Sequence, residues 1–281
     1  MFSATIGGLG LTGLITAARL RLRPIVSDRI LAETIVFNSP EEFAQLSLES
    51  MDWEYTVSWV DIVARDNTIG RGIFSRARHC DRPGPLSPGA HGTKPGPPFS
   101  PPVSLINNWS VDLFNRAWFW LGSRRAGERQ VHYQPFFFPL DGIANWNRAY
   151  GRGGFYQYQC VIPRDAGVDV LRELLQRIAA SGEGSFLVVL KEFGERRSPG
   201  LMSFPRPGFT LALDFANRGE RTLRLLDSLD EIVMPAGGAL YPAKDARMSA
   251  RTFHDSFPDT DAFAGYVDPG FSSSFWRRVT E

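Results

Sequence analysis

The sequence predicts an α+β fold, built as a large antiparallel sheet with helices on one face. Three observations carry this. Residues 155–241 read as strand, helix, strand, strand, helix, strand, the order of a ferredoxin-like, split βαβ unit. Residues 31–78 read as strand, helix, strand, strand, the beginning of a second such set. Strand alternation then puts polar side chains on one side, so two paired sets would bury one face under helices and leave the other free for a ligand.

The chain opens with a β-like run at residues 2–6, followed by Gly8-Leu9-Gly10-Leu11-Thr12-Gly13. This satisfies G-x-G-x-x-G, but a dinucleotide fingerprint also needs a helix directly after it and an acidic residue about twenty positions on. Residues 18–24 instead alternate apolar side chains with arginine, which predicts a strand. A Rossmann reading is therefore rejected. The glycine segment is either a turn between two strands or a loop beside a cofactor. Met1 is expected to open in the middle of a domain.

Residues 31–37 read as the next strand. Ser39-Pro40-Glu41-Glu42 is a capping box with proline at the first helical position, so a helix runs to about Glu49. Residues 54–63 and 72–78 read as strands. Residues 81–102 hold eight of the twenty prolines and four glycines, which excludes a helix or a central strand and predicts a mobile surface loop. Residues 108–125 carry Trp109, Phe114, Trp118, Phe119 and Trp120 among three arginines. They read as a helix packed on the core or as a membrane-surface contact. Pro135-Phe136-Phe137-Phe138-Pro139-Leu140 reads as an apolar strand with a proline exit.

From residue 155 the pattern is clearest. The strand 155–162 places Gln157 and Gln159 on one face and Tyr156, Tyr158 and Cys160 on the other. Val168, Leu171, Leu174, Leu175 and Ile178 mark a helix ending near Gly182. Strands follow at 185–193, which carries Lys191, and at 209–215. Leu223, Leu226, Leu229 and Ile232 mark a further helix. Residues 237–241 return as a strand and lead into Lys244, Asp245 and Arg247.

Composition narrows the function. A net charge of +1 gives no global attraction to nucleic acid. Two cysteines, Cys80 and Cys160, and four histidines without ligand spacing exclude a disulfide framework and predict no metal site. No positive n-region precedes the apolar residues 6–18, and no stretch reaches the roughly 18 apolar residues of a spanning helix. The expected location is cytoplasmic, and for residues 118–120 both core packing and peripheral contact with a membrane stay open. Gln157, Gln159 and Lys191 are placed on the free sheet face, where amides can grip several hydroxyls, or are ordinary surface residues. The segment G-G-A-L-Y-P-A-K-D-A-R (237–247) either presents a cation to a ligand or is a solvated loop.

Several motifs together resemble the FAD-dependent oxidoreductases of the vanillyl-alcohol oxidase type, in particular the decaprenylphosphoryl-ribose 2-oxidase branch. They are A-T-I-G-G-L-G-L-T-G-L-I (4–15), S-W-V-D (58–61), F-P-L-D-G-I-A-N-W-N-R-A-Y-G (138–151), G-F-Y-Q-Y-Q-C-V-I-P (154–163), S-F-L-V-V-L-K-E-F-G (185–194), L-Y-P-A-K-D-A-R (240–247) and T-F-H (252–254). The resemblance implies a flavin domain split in sequence around a substrate domain. Residues 1–27 would end its first segment, 28–236 would form the substrate domain, and 237–281 would return to the flavin domain. It implies FAD as cofactor, with Gly10, Thr12, Ile15 and Tyr241 beside it and Lys244 between flavin and substrate. Gln157, Gln159, Lys191, Trp59 and Phe137 would line the substrate pocket. Ala212 replaces the branch's pocket cysteine and Phe137 its pocket tyrosine, so the substrate is expected to differ.

The activity implied is oxidation of a secondary alcohol on a sugar-like or polyprenyl-phosphate-linked polyol, with the carbinol hydride passing to flavin N5. The family segment that holds the FAD pyrophosphate is expected ahead of the glycine loop. The implied partners are therefore an N-terminal FAD-binding half and a partner reductase. Two rival expectations remain open: a substrate domain without FAD binding of its own, and a non-enzymatic ligand-binding module.

Overall fold

The computed structural model describes residues 1–64, 68–87 and 93–280. In chain order its elements are α1 (Phe2–Thr5), β1 (Arg29–Phe37), α2 (Pro40–Glu49), β2 (Tyr55–Val60), β3 (Gly72–His79), α3 (Asn108–Ser123), β4 (Gly127–His132), α4 (Tyr133–Phe137), β5 (Phe155–Ile162), α5 (Arg164–Ser181), β6 (Val188–Phe193), β7 (Gly208–Ala216), α6 (Glu220–Val233), β8 (Ala239–Leu240), α7 (Ala250–Ser256), α8 (Thr260–Ala264) and α9 (Ser274–Thr280). The strands form one eight-stranded antiparallel sheet in the order β4-β1-β3-β2-β6-β7-β5-β8. Within each half the order is fourth, first, third, second. The halves meet where Ser58 on β2 pairs with Leu190 on β6.

The main core lies on one face, beneath α2, α5 and α6. Ser39 accepts the Glu42 N–H at 3.2 Å and starts α2, which drives Phe43 into the sheet. Phe43 is fully buried, and its ring meets Phe37 and Phe74 of the first half and Phe209 of the second. One phenylalanine thus ties together halves that share little strand pairing. The apolar stripe of α5 (Leu171, Leu174, Leu175, Ile178) and that of α6 (Leu225, Leu226, Leu229, Val233) complete this layer. Gly182, left-handed at φ 72°, ends α5.

Several expectations are corrected. Within the run 2–6, Phe2–Thr5 form α1 rather than a strand, because the Leu201 N–H donates to Ser3 O at 2.9 Å and Ala4 is buried, so a turn of helix is pinned there. Residues 18–24 form no strand, since alternation needs a paired edge to become a ladder and no described strand supplies one. Leu20 and Leu22 stay exposed. Residues 135–140 are helical, ending α4 and entering a 3-10 turn at Pro139–Gly142, with His132 Nδ1 accepting the Gln134 N–H at 3.2 Å as the cap. The strand near them is β4, whose sequence G-E-R-Q-V-H sits on an edge with little burial and shows no apolar alternation.

Helices also occupy both faces. Ile73 pairs with Trp59 and so points away from α2, and it is Ile73 that α3 covers. A Cβ at Gly122 would strike Ile73, so glycine permits this close approach. The proline-rich segment is anchored on both sides of residues 88–92, which lie outside the described residues. Asp28 accepts the Ser87 N–H at 2.8 Å and donates its own N–H to Pro85 O at 2.8 Å. Arg148 donates to Pro98 O at 2.7 Å, and the Arg152 N–H to Pro101 O at 3.0 Å. Among the described residues no helix is long and apolar enough to cross a membrane.

Candidate functional site

The face of the sheet opposite α2, α5 and α6 is where polar side chains collect. Register settles who shares it. Gln157 is opposite Asp214, Gln159 is opposite Ala212, Ala212 is opposite Val189, and Lys191 is opposite Thr210. Paired residues lie on the same side of a sheet. Gln157, Gln159, Lys191, Thr210, Ala212 and Asp214 therefore form one floor across β5, β7 and β6.

That floor is wired. Gln157 Nε2 donates to Asp214 Oδ1 at 2.9 Å, and Gln159 Nε2 donates to Thr210 Oγ1 at 3.1 Å. Each amide is thereby fixed with its carbonyl oxygen directed elsewhere. Burial pushes the Asp214 carboxyl above the usual carboxylate range, while the Gln157 hydrogen bond and the charge of Lys244 act against that rise. Burial lowers the pKa of Lys191, and the charge of Lys244 lowers it further. Lys244 thus stands near enough to act on both groups. Two cations and one carboxylate share the floor, with small Ala212 between them.

Lys244 arrives from the edge. β8 pairs with Cys160 and Val161 only, and the Tyr241 N–H then donates to Gln159 O at 2.9 Å. A 3-10 turn at Pro242–Lys244 follows. The rest of the charged segment is occupied in holding this turn. Arg247 donates to Asp230 at 2.8 and 3.0 Å and to Asp227 at 2.7 Å. Asp245 accepts from the Met248 N–H at 2.8 Å and from Arg278 at 2.7 Å. Of the three charged residues Lys244, Asp245 and Arg247, Lys244 is the one without an ion pair among the described residues. A narrow cleft of about 20 Å³ runs between this turn and β5, lined by Gln157, Gln159, Tyr241 and Lys244.

The remaining expected residues are spread around this floor. Trp59 shares its face through β2, and its Nε1 donates to Phe186 O at 3.2 Å. Phe137, on α4, reaches the first half of the same face, where its ring meets Tyr55 at 4.7 Å. Tyr241 stacks on Phe204 at 4.8 Å. The glycine segment docks nearby, with Gly7 against the backbone of Met202 and Gly8 against Phe263. Gly10 (φ 73°) and Gly13 (φ 119°) have open space where a Cβ would stand. Thr12 shares a hydrogen bond with Thr5 at 3.1 Å, and Ile15 is 64% exposed.

Asp214 and Thr210 are the members that sequence reasoning missed. The signal was present in L-A-L-D-F, where a lone carboxylate interrupts an apolar strand in phase with Ala212. Cys160 is not a rival nucleophile, because it lies buried on the other face and burial pushes its thiol up to about 12. A larger hollow of about 620 Å³ lies at the end of the sheet between α3 and α5. Its charged lining is already paired, Arg71 with Asp61, Arg116 with Asp112, and Glu183 with Arg218 and Arg221. On the sheet floor, by contrast, Lys191 and Lys244 form no ion pair among the described residues.

Known proteins share this sequence along nearly its whole length. The chain is 33% identical over 297 residues to the decaprenylphosphoryl-β-D-ribose oxidase of Mycolicibacterium smegmatis, covering 99% of this chain and 63% of that oxidase. The chain is thus related by sequence to decaprenylphosphoryl-β-D-ribose oxidase. An uncharacterised protein of the mprA 5′ region of Streptomyces coelicolor is 32% identical over 299 residues, covering 99% of this chain and 80% of that protein. The chain thus spans a little under two thirds of the mycobacterial oxidase. No family model matches it. A solved structure of FgChi7B superposes with a TM-score of 0.45 at 10% identity, over 89% of this chain and 55% of that one, a likeness too low to bear on the fold.

Proposed function

We propose that this chain forms the substrate-binding part of an FAD-linked oxidase that oxidises a secondary alcohol on a sugar-like or lipid-linked polyol. The observation that carries the reading is the floor of Gln157, Gln159, Lys191 and Asp214, faced by Lys244. Relation by sequence to a mycobacterial protein named decaprenylphosphoryl-β-D-ribose oxidase supports it. Residues 28–236 would be the substrate domain, in two ferredoxin-like halves. Residues 1–27 and 237–281 would belong to a flavin domain split around it.

The residues present suit a flavin beside Lys244. Tyr241 presents a ring held by Phe204, Ile15 is exposed, and Gly10 and Gly13 leave open space where a side chain would stand. FAD, when bound, would supply the acceptor for the carbinol hydride at N5. The chain's own residues do the rest. Gln157 and Gln159 direct amide oxygens toward neighbouring hydroxyls of the polyol. Lys244 orients the reacting hydroxyl and stabilises negative charge as its proton leaves. Lys191, with its lowered pKa, supports the same charge from the floor. Asp214, raised by burial and steadied by Gln157, is placed to exchange a proton with that hydroxyl or a neighbouring one.

The test is to incubate the purified chain, alone and co-expressed with an N-terminal FAD-binding half, with FAD and a panel of sugar-like and polyprenyl-phosphate-linked polyols, measure FAD retained on gel filtration, and follow bleaching of flavin absorbance. Wild type is expected to bleach and Lys244→Ala to lose roughly 100-fold in rate with its melting unchanged. Equal rates would remove Lys244 from the chemistry. Polyol binding without FAD retention would leave the sheet floor as a ligand-binding site alone.

A further inference from the structure

We infer that the outward face of α3 docks the protein onto an anionic lipid surface. α3 is amphipathic in an inverted sense. Its inward stripe is thin: Val111 and Asn115 are buried, Gly122 meets Ile73, and Phe119 lies under the Arg71 guanidinium at 4.8 Å. Its outward face carries Trp109, Leu113, Phe114, Trp118, Trp120 and Leu121, with Trp109 75% and Trp120 52% exposed. Monomeric proteins do not normally leave such a contiguous apolar stripe in water. The stripe, from Trp109 to Leu121, is about 18 Å long at the helical rise.

The chemistry of the stripe selects its occupant. Tryptophan is enriched where a ring can lie in acyl chains while its N–H meets head groups. Residues 108–125 carry three arginines against one aspartate, and Arg116 is paired with that aspartate, Asp112, at 2.9 Å. Among the described residues Arg124 and Arg125 form no ion pair, and Arg124 lies over the Trp120 ring at 4.0 Å. Cationic groups beside half-exposed indoles at one end of an apolar stripe match a negatively charged interface. Docking there would also set the Trp59 end of the sheet floor against the head groups, since Phe114 meets Phe186 and the Phe186 carbonyl holds Trp59. The inference does not depend on the redox reading.

Flotation of the purified chain with vesicles of phosphatidylglycerol and phosphatidylcholine, against phosphatidylcholine alone, tests it. Wild type is expected to float with the anionic vesicles, to dissociate at high salt, and to show a blue-shifted tryptophan emission. Arg124→Gln with Arg125→Gln should weaken binding by about fivefold per arginine. Trp118→Ser with Trp120→Ser should abolish it. Both pairs are exposed, so circular dichroism and melting should match wild type and exclude misfolding as the cause. Failure of wild type to float, or equal flotation of the tryptophan variant, would overturn the inference. A concentration-dependent dimer that the tryptophan substitutions dissolve, without vesicle binding by wild type, would also overturn it and assign the stripe to a protein partner.

Discussion

The two halves of the sheet share a strand order and differ in what covers them. β1 to β4 and β5 to β8 each stand fourth, first, third, second, and both lay helices on the same inner face. On the other face the first half is closed. α3 lies over Ile73 at one end, and α4 brings Tyr133 and Phe136 against Ile30, Ala32 and Ala77 at the other. In the second half cover is confined to the two ends, where Trp146 and Tyr150 pack on Phe155 and Phe204 packs on Phe193, and between them lie Gln157, Gln159, Lys191, Thr210 and Asp214. The shared order thus supplies a platform, and the gap between these end covers makes one half a site. The reason is energetic: polar floor residues lose less when they stay near water or a polar ligand than when sealed under a helix.

If the halves are one cooperative unit despite the narrow join at Ser58 and Leu190, the largest effect belongs to Phe43→Ala. Removing this ring should cost about 3–5 kcal/mol and lower both halves together, giving one urea transition with a smaller midpoint. Two separate transitions would show that the halves fold independently. Closing of the first half is tested next by Gly122→Val, which drives a side chain into Ile73. A loss of about 1–3 kcal/mol is expected, with polyol binding retained, because the floor of the second half is untouched. Chemical denaturation and calorimetry on the same samples separate the two outcomes.

Smaller effects test the open half. Asp214 has its folded pKa raised, so the stability it contributes is present below the unfolded value of 3.8 and is lost as pH rises through the folded value. Asp214→Asn should therefore be somewhat more stable than wild type at neutral pH and equal to it in strong acid, while binding polyol less well. Wild-type stability that stays flat through this window would mean the carboxyl is better solvated than its 6% exposure indicates. Lys191 is shifted downward, so it loses its proton below the ordinary lysine value of 10.5. Ligand binding is expected to fall on an alkaline limb below that pH, and Lys191→Met should remove the limb. Isothermal titration across the range reads it directly.

Legibility in the sequence followed where burial was one-sided and local. β5, α5, β7 and α6 were readable from periodicity because each buries one stripe against a single neighbouring layer. The α2 start was readable because Ser39 and Glu42 act within one turn. β4 was not, because an edge strand with little buried surface carries no alternation. The run at 18–24 misled for the opposite reason, since it has the alternation without an edge to pair. The floor shows the same split. Gln157 and Gln159 could be placed on one face from a period of two, whereas Asp214 went unmarked until register set it opposite Gln157.

The sequence by itself determined the class of the fold, the complete strand and helix order of its second half and the start of the same order in its first, the face that Gln157 and Gln159 share, and the motifs of the resemblance. These rest on spacing along the chain, which local geometry converts directly into faces and turns. Only the tertiary structure decided that α3 crosses to the outer face, that Asp214 and Thr210 complete the floor, and that Arg247 and Asp245 are consumed by Asp227, Asp230 and Arg278 while Lys244 is left without an ion pair among the described residues. Those outcomes depend on partners far away in sequence, competing for charge and buried surface, and no local pattern records who wins.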